Sequence, residues 1–238
     1  MINKKPYVLE SVVKTTPDVF TFRFRSQDGE KVDFTPGMFA MLYWRNKDTG
    51  EEIGRSYSIA SSPNADYFDF IITMIHGMLT SKLEDAKPGD VYYISAPYGQ
   101  FKIEPNSGGK LLFLAGGTGI VPFISLMKYT ESTDLKLDIS MICSIRYPYE
   151  MLCRDTLDEM KERKELRLAV TVTRPQPGDD WTGQTGRIDA DMIKKYVPDV
   201  SERVCYICGP MAFVNALKAA LTSMGIDGKS IKAEMWGE

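Results

Sequence analysis

Histidine and cysteine are scarce in this sequence, with one histidine and four cysteines in 238 residues. The cysteines at positions 143, 153, 205 and 208 are too few and too scattered for a disulfide scaffold. "VCYIC" contains a CxxC pattern, but it reads as a strand, in which residues three apart point to opposite faces. No second Cys or His pair completes four ligands, so we predict no metal site. His76, the only histidine, receives no catalytic role.

Long apolar runs and an excess of one charge are also absent. No run approaches the roughly 20 residues that span a bilayer, and "MINKKPYVLE" lacks the apolar core of a signal peptide. We therefore expect no membrane span and a cytoplasmic location. The net charge of −3, with mixed signs, argues against nucleic-acid binding but leaves room for a local basic patch that meets an acidic protein.

The first hundred residues read as six short strands separated by turns. The strands are "YVLESVVKT", "VFTFRFRS", "DFTPGMFAMLYW", "RSYSIASS", "YFDFIITMI" and "DVYYISAPYG". Segments such as "KPGD" and "SSPNAD" punctuate them. Six strands at this spacing predict a small antiparallel barrel.

After "IEPNSGGK", a plausible linker, the pattern changes. Apolar runs "LLFLAG", "LDISMICSI", "LRLAVTVT" and "RVCYICG" alternate with helical stretches near 120–130, 149–163, 189–196 and 211–224. This alternation predicts a parallel sheet with helices on both faces. A chain of this length readily forms two domains.

A glycine-rich turn opens the second half, in "KLLFLAGGTGIVPF". Gly117, Thr118 and Gly119 follow an apolar strand and precede a helix, an arrangement that lets backbone N–H groups approach a phosphate. Pro122 stands where the dinucleotide fingerprint GxGxxG has its third glycine; proline suits the first turn of a helix, so the helix survives. A tight turn without a ligand is the alternative interpretation.

A second turn, in "YICGPMAFVNAL", follows the fourth apolar run. Cys208, Gly209 and Pro210 stand at the carboxyl edge of the predicted sheet, where open α/β sheets bind ligands. The alternative is that Cys208 is a small buried apolar residue.

Six motifs occur in a fixed order: "RSYSIASS", "HGMLTSKL", "KPGD", "AGGTGIVPF", "CGPM" and "AEMW". The ordered set resembles the ferredoxin-NADP reductase family of flavoenzymes over essentially the whole chain. The resemblance implies an FAD-binding barrel domain at residues 1–105 and an NAD(P)-binding α/β domain at residues 106–238.

The resemblance also implies how FAD is held. Arg55 would pair with the diphosphate, Tyr57 would flank the isoalloxazine and ribityl, and Ser58 would hydrogen-bond near flavin N5. These residue types suit the ligand, because a diphosphate pairs well with a planar guanidinium and a flat ring with an aromatic neighbour. A helix start at "GMLTS" would form a second diphosphate clamp. The further implied cofactor contacts are Ser56, Ile72, Gly77, Met78, Leu79 and Thr80.

For the nucleotide, the resemblance implies contacts at both turns and at arginines beyond the strands. NAD sites usually carry an acid after the second strand and NADP sites an arginine. Arg146 follows "DISMICSI", and Thr173, Arg174 and Arg187 fall where relatives contact the 2′-phosphate. We therefore favour NADPH, with NADH and three solvated arginines as the alternative.

The tail "KSIKAEMWGE" reads as a final strand. The resemblance implies that Trp236 covers the flavin face where nicotinamide lands, that Cys208 lines the nicotinamide pocket, and that Glu234 shares a proton route with Ser58. A core role for Trp236 is the alternative.

The sequence therefore predicts an FAD-dependent oxidoreductase that moves electrons between NADPH and a separate one-electron carrier of the ferredoxin or flavodoxin type. Two alternatives stay open: an NADH-using reductase component of an oxygenase, and a non-catalytic flavin-binding subunit of a larger complex. The sequence does not fix the oligomeric state.

Overall fold

The computed structural model describes residues 4–104, 109–133 and 135–236. The chain divides into two compact units. The barrel unit comprises Met1–Ile103 and Val121–Ser132, and the sheet unit comprises Glu104–Ile120 and Thr133–Glu238. The linker "IEPNSGGK" falls partly outside the described residues.

The barrel unit contains all six predicted strands. They are β1 (Lys5–Lys14), β2 (Val19–Ser26), β3 (Phe39–Arg45), β4 (Glu52–Ser58), β5 (Tyr67–Thr73) and β6 (Val91–Tyr98). They form an antiparallel sheet in the order β4-β3-β6-β1-β2-β5. A short helix, α1 (Thr80–Leu83), connects β5 to β6.

Alternating apolar residues build the core of this unit. On β2, Phe22 and Phe24 are fully buried, and they pack with Leu9, Leu42 and Phe70 from neighbouring strands. A period of two puts these side chains on one face of each strand. The sequence pattern therefore accounts for the strands directly.

The first and last strands of this order, β4 and β5, approach each other near the end of β4. The Ala60 N–H donates to the Asp69 carbonyl of β5 (2.8 Å). The Tyr57 ring of β4 also lies 6.3 Å from the Phe70 ring of β5, between centroids. These contacts close the sheet into the predicted barrel.

The sheet unit contains a parallel sheet in the order β10-β9-β8-β7-β11-β12. Its strands are β7 (Lys110–Gly116), β8 (Asp138–Ile145), β9 (Leu166–Val172), β10 (Gln184–Thr185), β11 (Val204–Pro210) and β12 (Ile231–Trp236). Its helices are α3 (Arg154–Glu162), α4 (Ala190–Tyr196) and α5 (Met211–Ser223). The predicted fold class is thereby confirmed.

The helix after the glycine-rich turn, α2 (Val121–Glu131), groups with the barrel unit. The buried Ser125 hydroxyl donates to the Ser61 carbonyl (2.8 Å). Lys128 also pairs with the buried Asp69 carboxylate (3.5 Å). Each compact unit therefore contains two separate segments of the chain. The sequence predicts two consecutive domains instead, and the boundary between them stays a prediction.

Two elements differ from the sequence expectation. Helix α3 begins at Arg154 rather than near 149, because a 3-10 turn at Pro148–Glu150 and a left-handed Cys153 (φ 53°) precede it. The two-residue strand β10 is too short to show a sequence period.

No helix in the described parts of the chain is long and apolar enough to cross a membrane. The cytoplasmic location stays a prediction.

Candidate functional site

The "RSYS" motif lies on β4, which is the end strand of its sheet and, among the strands that the structure describes, pairs with β3 alone. Arg55 is exposed, and its guanidinium donates to the Gly54 carbonyl (2.7 Å). Arg55 forms no ion pair with any residue that the structure describes. An exposed guanidinium without a counter-charge is a suitable ligand for a diphosphate.

The predicted FAD contacts near Arg55 include an aromatic ring, two hydroxyl groups and one aliphatic side chain. Tyr57 lies on the same face of the strand as Arg55, and burial raises the pKa of Tyr57 to about 12, so its hydroxyl stays protonated. Ser56 is exposed and Ser58 half-buried. Ile72, in contrast, packs in the barrel core, so a cofactor could meet it only through its backbone.

The predicted second clamp is the loop from Gly77 into α1. The buried Thr80 hydroxyl accepts from the Gly77 N–H (2.8 Å) and so holds the loop itself. The N–H groups of Met78, Leu79 and Thr80 have no acceptor among the described residues. Helix α1 has only four residues, so these N–H groups, rather than a helix dipole, are the donors available to a phosphate.

The glycine-rich turn after β7 fits a close approach of a ligand. Gly117 has a φ of +55°, and a Cβ added there would meet no atom within 4 Å. The positive φ favours glycine at position 117, and the space where a side chain would lie is open. At Gly119 an added Cβ would lie 2.1 Å from the Cys208 carbonyl oxygen, so only glycine fits.

The contact between Gly119 and Cys208 brings the two predicted turns together. The glycine-rich turn follows β7 and the "CGP" turn ends β11, and these strands are neighbours in the sheet. Both turns therefore lie side by side at the carboxyl edge of a parallel sheet, the usual ligand site of this architecture.

Pro122 and the "CGP" residues occupy the positions that the sequence predicts. Pro122 is buried in the first turn of α2, where proline is tolerated. Gly209 lies against Phe213 of α5: a Cβ there would be 2.7 Å from the Phe213 ring. Pro210, the residue before α5, is exposed.

Cys208 and Glu234 are register partners on β11 and β12. Cys208 is fully buried, and burial, followed by the charge of Glu234, raises the pKa of its thiol well above the ordinary value. Glu234 Oε2 is buried without a hydrogen-bond partner in the described structure. Burial raises the pKa of Glu234 to about 7, so this carboxyl can hold or release a proton near neutral pH.

Arg146, Arg174 and Arg187 follow the adjacent strands β8, β9 and β10. The Arg174 N–H donates to the Arg146 carbonyl (2.9 Å), and the Gly186 N–H donates to Val172 (3.0 Å). These bonds continue the parallel ladder past the strand ends and put the three arginines in a row. Arg174 and Arg187 are exposed and form no ion pair within the described part of the chain.

Arg146 differs from the other two, because Glu150 already binds it. Arg146 Nε donates to Glu150 Oε1 (2.8 Å), and the Arg146 N–H donates to Oε2 (2.8 Å). The Glu150 side chain is only 12% exposed. Glu150 is an acid after the second parallel strand, and its carboxylate already pairs with the Arg146 guanidinium and backbone N–H.

Glu150 is the residue that sequence reasoning missed. Its position four residues after Arg146 was the available signal, but this spacing indicates a pair only where the chain turns as a helix does. Trp236 lies at the last position of β12, opposite Pro210 in the register, and is 37% exposed.

His76 is exposed, and its Nδ1 lies 2.7 Å from Glu84 Oε1. Among the described residues no cluster of three or more His, Cys, Asp or Glu side chains could hold a metal.

Two family models match the chain in order. The model described as an oxidoreductase FAD-binding domain matches residues 6–103, and the oxidoreductase NAD-binding domain matches residues 113–219. The chain is 31% identical to a glycine betaine monooxygenase reductase subunit of Chromohalobacter salexigens, over 95% of this chain and 62% of that protein. The chain thus spans about three fifths of the length of that relative.

Two solved structures share the fold. The flavohem-like FAD/NAD-binding domain of nitric oxide dioxygenase from Vibrio cholerae aligns with a TM-score of 0.86, at 18% identity, over 98% of this chain and 99% of that one. A ferredoxin NADP+ reductase from Neisseria gonorrhoeae, with bound FAD and NADP, aligns with a TM-score of 0.79, at 22% identity, over 98% of both chains. With both family models matched in this order, the chain belongs to the ferredoxin-NADP reductase family of FAD- and NAD(P)-binding flavoprotein reductases.

Proposed function

We propose that this protein oxidises NADPH with FAD and passes the electrons singly to a separate protein carrier of the ferredoxin or flavodoxin type. The observation that carries the proposal is the close packing of Gly119 against the Cys208 carbonyl, which joins two turns into one ligand edge. When bound, FAD would supply the chemistry that links hydride transfer to single-electron transfer.

The chain's own residues supply binding and proton control. Arg55 and the N–H groups of Met78 and Leu79 are the groups proposed to hold the FAD diphosphate. The residues proposed for the flavin are Tyr57, for the ring, and Ser58, near N5.

On the nucleotide side, Gly117 is proposed to face a phosphate. Cys208 would line the nicotinamide pocket, Glu234 would hold an exchangeable proton, and Trp236 would cover the flavin face until nicotinamide displaces it.

The preference for NADPH is proposed on charge. Arg174 and Arg187 are exposed and have no ion-pair partner in the part of the chain that the structure describes, whereas Arg146 pairs with Glu150. A 2′-phosphate would find two cations that have no ion-pair partner in the described structure, whereas the acid that follows β8, Glu150, already pairs with Arg146.

A second candidate is a reductase component that delivers electrons to an oxygenase and uses NADH. The relatives named as monooxygenase reductase subunits favour an oxygenase as the electron acceptor. Steady-state rates with both nucleotides and a panel of ferredoxins, flavodoxins and oxygenase components separate the two. A protein that binds FAD but turns over only within a larger complex would instead match the non-catalytic alternative.

The FAD site is tested by titrating the apo-protein with FAD. Arg55→Ala removes a charge-assisted pair with the diphosphate and should weaken binding by roughly 1.5 to 3 kcal/mol. Arg45→Ala is the matched control, because Arg45 lies on the neighbouring strand β3 and already pairs with Glu52 (2.9 Å). Equal FAD affinity in the Arg55→Ala variant and the wild type would remove Arg55 from the site.

A further inference from the structure

Strand β6 contains a β-bulge where it pairs with the beginning of β3. On β3, Met41 lies opposite Ser95. Phe39, two residues earlier on β3, lies opposite Tyr98, which is three residues later on β6. Without the extra residue, Pro97 would lie opposite Phe39. Because a shift of one residue exchanges the two faces of a strand, the bulge is what brings the Tyr98 ring beside the Phe39 ring.

The Phe39 ring is enclosed by residues at the end of β6. Its centroid lies 5.8 Å from the centroid of the Tyr98 ring. The Tyr98 hydroxyl lies 2.5 Å from the hydroxyl of the buried Ser95, and this hydrogen bond holds the Tyr98 ring. Gly99 has a φ of +105°, and a Cβ added there would lie 3.0 Å from the Phe39 ring. Glycine at position 99 therefore leaves the room that the Phe39 ring occupies.

On its other side Phe39 lies against Ser58, the residue that we propose near flavin N5. Ala40, the next residue on β3, is fully buried in the barrel core, so Phe39 points to the opposite, outer face of the sheet. Ser58 of β4 is the register partner of Phe39. The Ile59 N–H donates to the Met38 carbonyl (3.1 Å). The preceding pair, Ser58 and Phe39, is therefore of the non-hydrogen-bonded type, in which the two side chains lie closer together.

A serine hydroxyl takes its direction from its neighbours, because the short side chain has three staggered rotamers of similar energy. A rigid ring directly opposite Ser58 restricts these rotamers. The side of β4 that faces away from β3 has no paired strand in the described sheet, and a hydroxyl directed there can meet a ligand.

We propose that Phe39, with the Tyr98 ring behind it, is a positioning residue that holds the Ser58 hydroxyl in the orientation for its hydrogen bond near flavin N5. This role of Phe39 rests on the proposed function and adds to it the part that β3 and the bulge of β6 play in the flavin site. Phe39 acts through Ser58 and need not touch the flavin.

The test measures the redox equilibrium of bound FAD by stepwise reduction with dithionite against a reference dye, which requires neither nucleotide nor carrier. Ser58→Ala removes the hydroxyl and should shift the ratio of oxidised to reduced FAD on the order of tenfold, the scale of one hydrogen bond. Phe39→Leu should shift this ratio in the same direction by about threefold, because the hydrogen bond is weakened rather than removed. In the Ser58→Ala background, Phe39→Leu should cause no further shift.

The matched control is Phe34→Leu. Phe34 is also half-buried in the barrel unit, and its ring also packs against another ring, that of Phe68 (6.0 Å between centroids). This variant should leave the ratio within about 1.5-fold of the wild type, since distant sites act independently. Tyr98→Leu, which removes the ring behind Phe39, is the second variant should Phe39→Leu lose FAD, and it should shift the ratio in the same direction as Ser58→Ala.

Three results would overturn the role of Phe39. The first is an unchanged ratio in both Phe39→Leu and Tyr98→Leu. The second is an equal shift by Phe39→Leu with and without the Ser58 hydroxyl, and the third is an unchanged ratio in Ser58→Ala, which would also remove Ser58 from flavin N5. If the expected shifts occur but NADPH does not reduce the wild-type flavin, the proposed function fails and the role of Phe39 stands.

Discussion

The amino and carboxyl edges of the parallel sheet differ in how far their charged side chains are paired. At the amino edge the fully buried Arg203 guanidinium donates to Asp138 and Asp199 and to the carbonyls of Leu111 and Asp138. At the carboxyl edge Arg174 and Arg187 have no ion partner among the described residues, and a Glu234 oxygen is buried without a hydrogen bond. Buried charge that is paired is compatible with folding, whereas a buried carboxyl without a partner costs stability, and such perturbed groups are typical of functional sites.

The largest expected effect lies at the amino edge. Arg203→Met removes the buried guanidinium that donates to two carboxylates and two carbonyls, so that Asp138 keeps only its exposed partner Arg167 among the described arginines, and it should lower the free energy of unfolding by about 3 kcal/mol. Urea denaturation measures this change. Arg167→Met is the control, because Arg167 pairs with Asp138 at the same edge but is exposed, and should cost under about 1 kcal/mol. Equal costs for the two variants would contradict the contrast between the edges.

The next effect is a pH dependence that comes from Glu234. Its pKa rises from 4.5 to about 7 on folding, so between these values the folded state binds more protons. Stability contributed by the protonated carboxyl is therefore complete below pH 4.5 and is lost as pH rises towards 7. At about 1.4 kcal/mol per pKa unit the loss is at most roughly 3 kcal/mol.

Glu234→Gln should remove this slope, which urea denaturation at several pH values measures. Asp199 at the amino edge has the opposite sign, because its hydrogen bond from Arg203 lowers its pKa from 3.8 to about 2. Its contribution is present above pH 3.8 and is lost as pH falls towards 2. An unchanged slope between pH 4.5 and 7 in Glu234→Gln would show that Glu234 is not the titrating group.

The third prediction concerns nucleotide choice. Replacing Arg174 and Arg187 together by Gln should lower kcat/KM for NADPH on the order of a hundredfold and that for NADH within about threefold, because only NADPH carries the extra phosphate. Arg146→Gln is the control at the same edge and should leave the ratio nearly unchanged, since Glu150 already binds Arg146. A similar shift in the control would mean that compensation does not distinguish the arginines.

The smallest effect is expected at Trp236. If its ring competes with nicotinamide for the flavin face, Trp236→Ala should tighten both nucleotides a few-fold and narrow the discrimination between them, since the donor carbon and flavin N5 must approach to about 3 to 3.5 Å. Nucleotide titration beside stopped-flow flavin reduction measures this. Met235→Ala, the adjacent exposed residue of β12, is the control. Unchanged affinity and specificity in Trp236→Ala would make Trp236 a structural residue.

The sequence allowed the strands and both turns to be predicted because their signals are local. The alternation at Phe22 and Phe24 and the positive φ at Gly117 belong to patterns that a short stretch of sequence shows by itself. Ion pairs and hydrogen bonds between side chains cannot be predicted in this way. Whether Glu150 compensates Arg146, and whether Glu234 is buried without a partner, depends on three-dimensional neighbours that no period reveals.

The grouping of helix α2 shows the same limit, while the domain boundary itself stays a prediction. Helix α2 reads from the sequence as part of the second half, because it follows β7 directly. Its buried Ser125 and its Lys128, however, bind Ser61 and Asp69 of the barrel unit. Packing between residues far apart in sequence decides such groupings, and a local pattern does not contain that information.

The most direct test of the central claim is anaerobic flavin reduction in the wild-type protein. The FAD-loaded protein is mixed with NADPH or NADH at equal concentrations below saturation, and the loss of flavin absorbance is followed by stopped flow. We expect reduction by both nucleotides, with NADPH the faster. No reduction by either nucleotide would contradict the assignment of the carboxyl edge as the nucleotide site, and faster reduction by NADH would contradict the role given to Arg174 and Arg187.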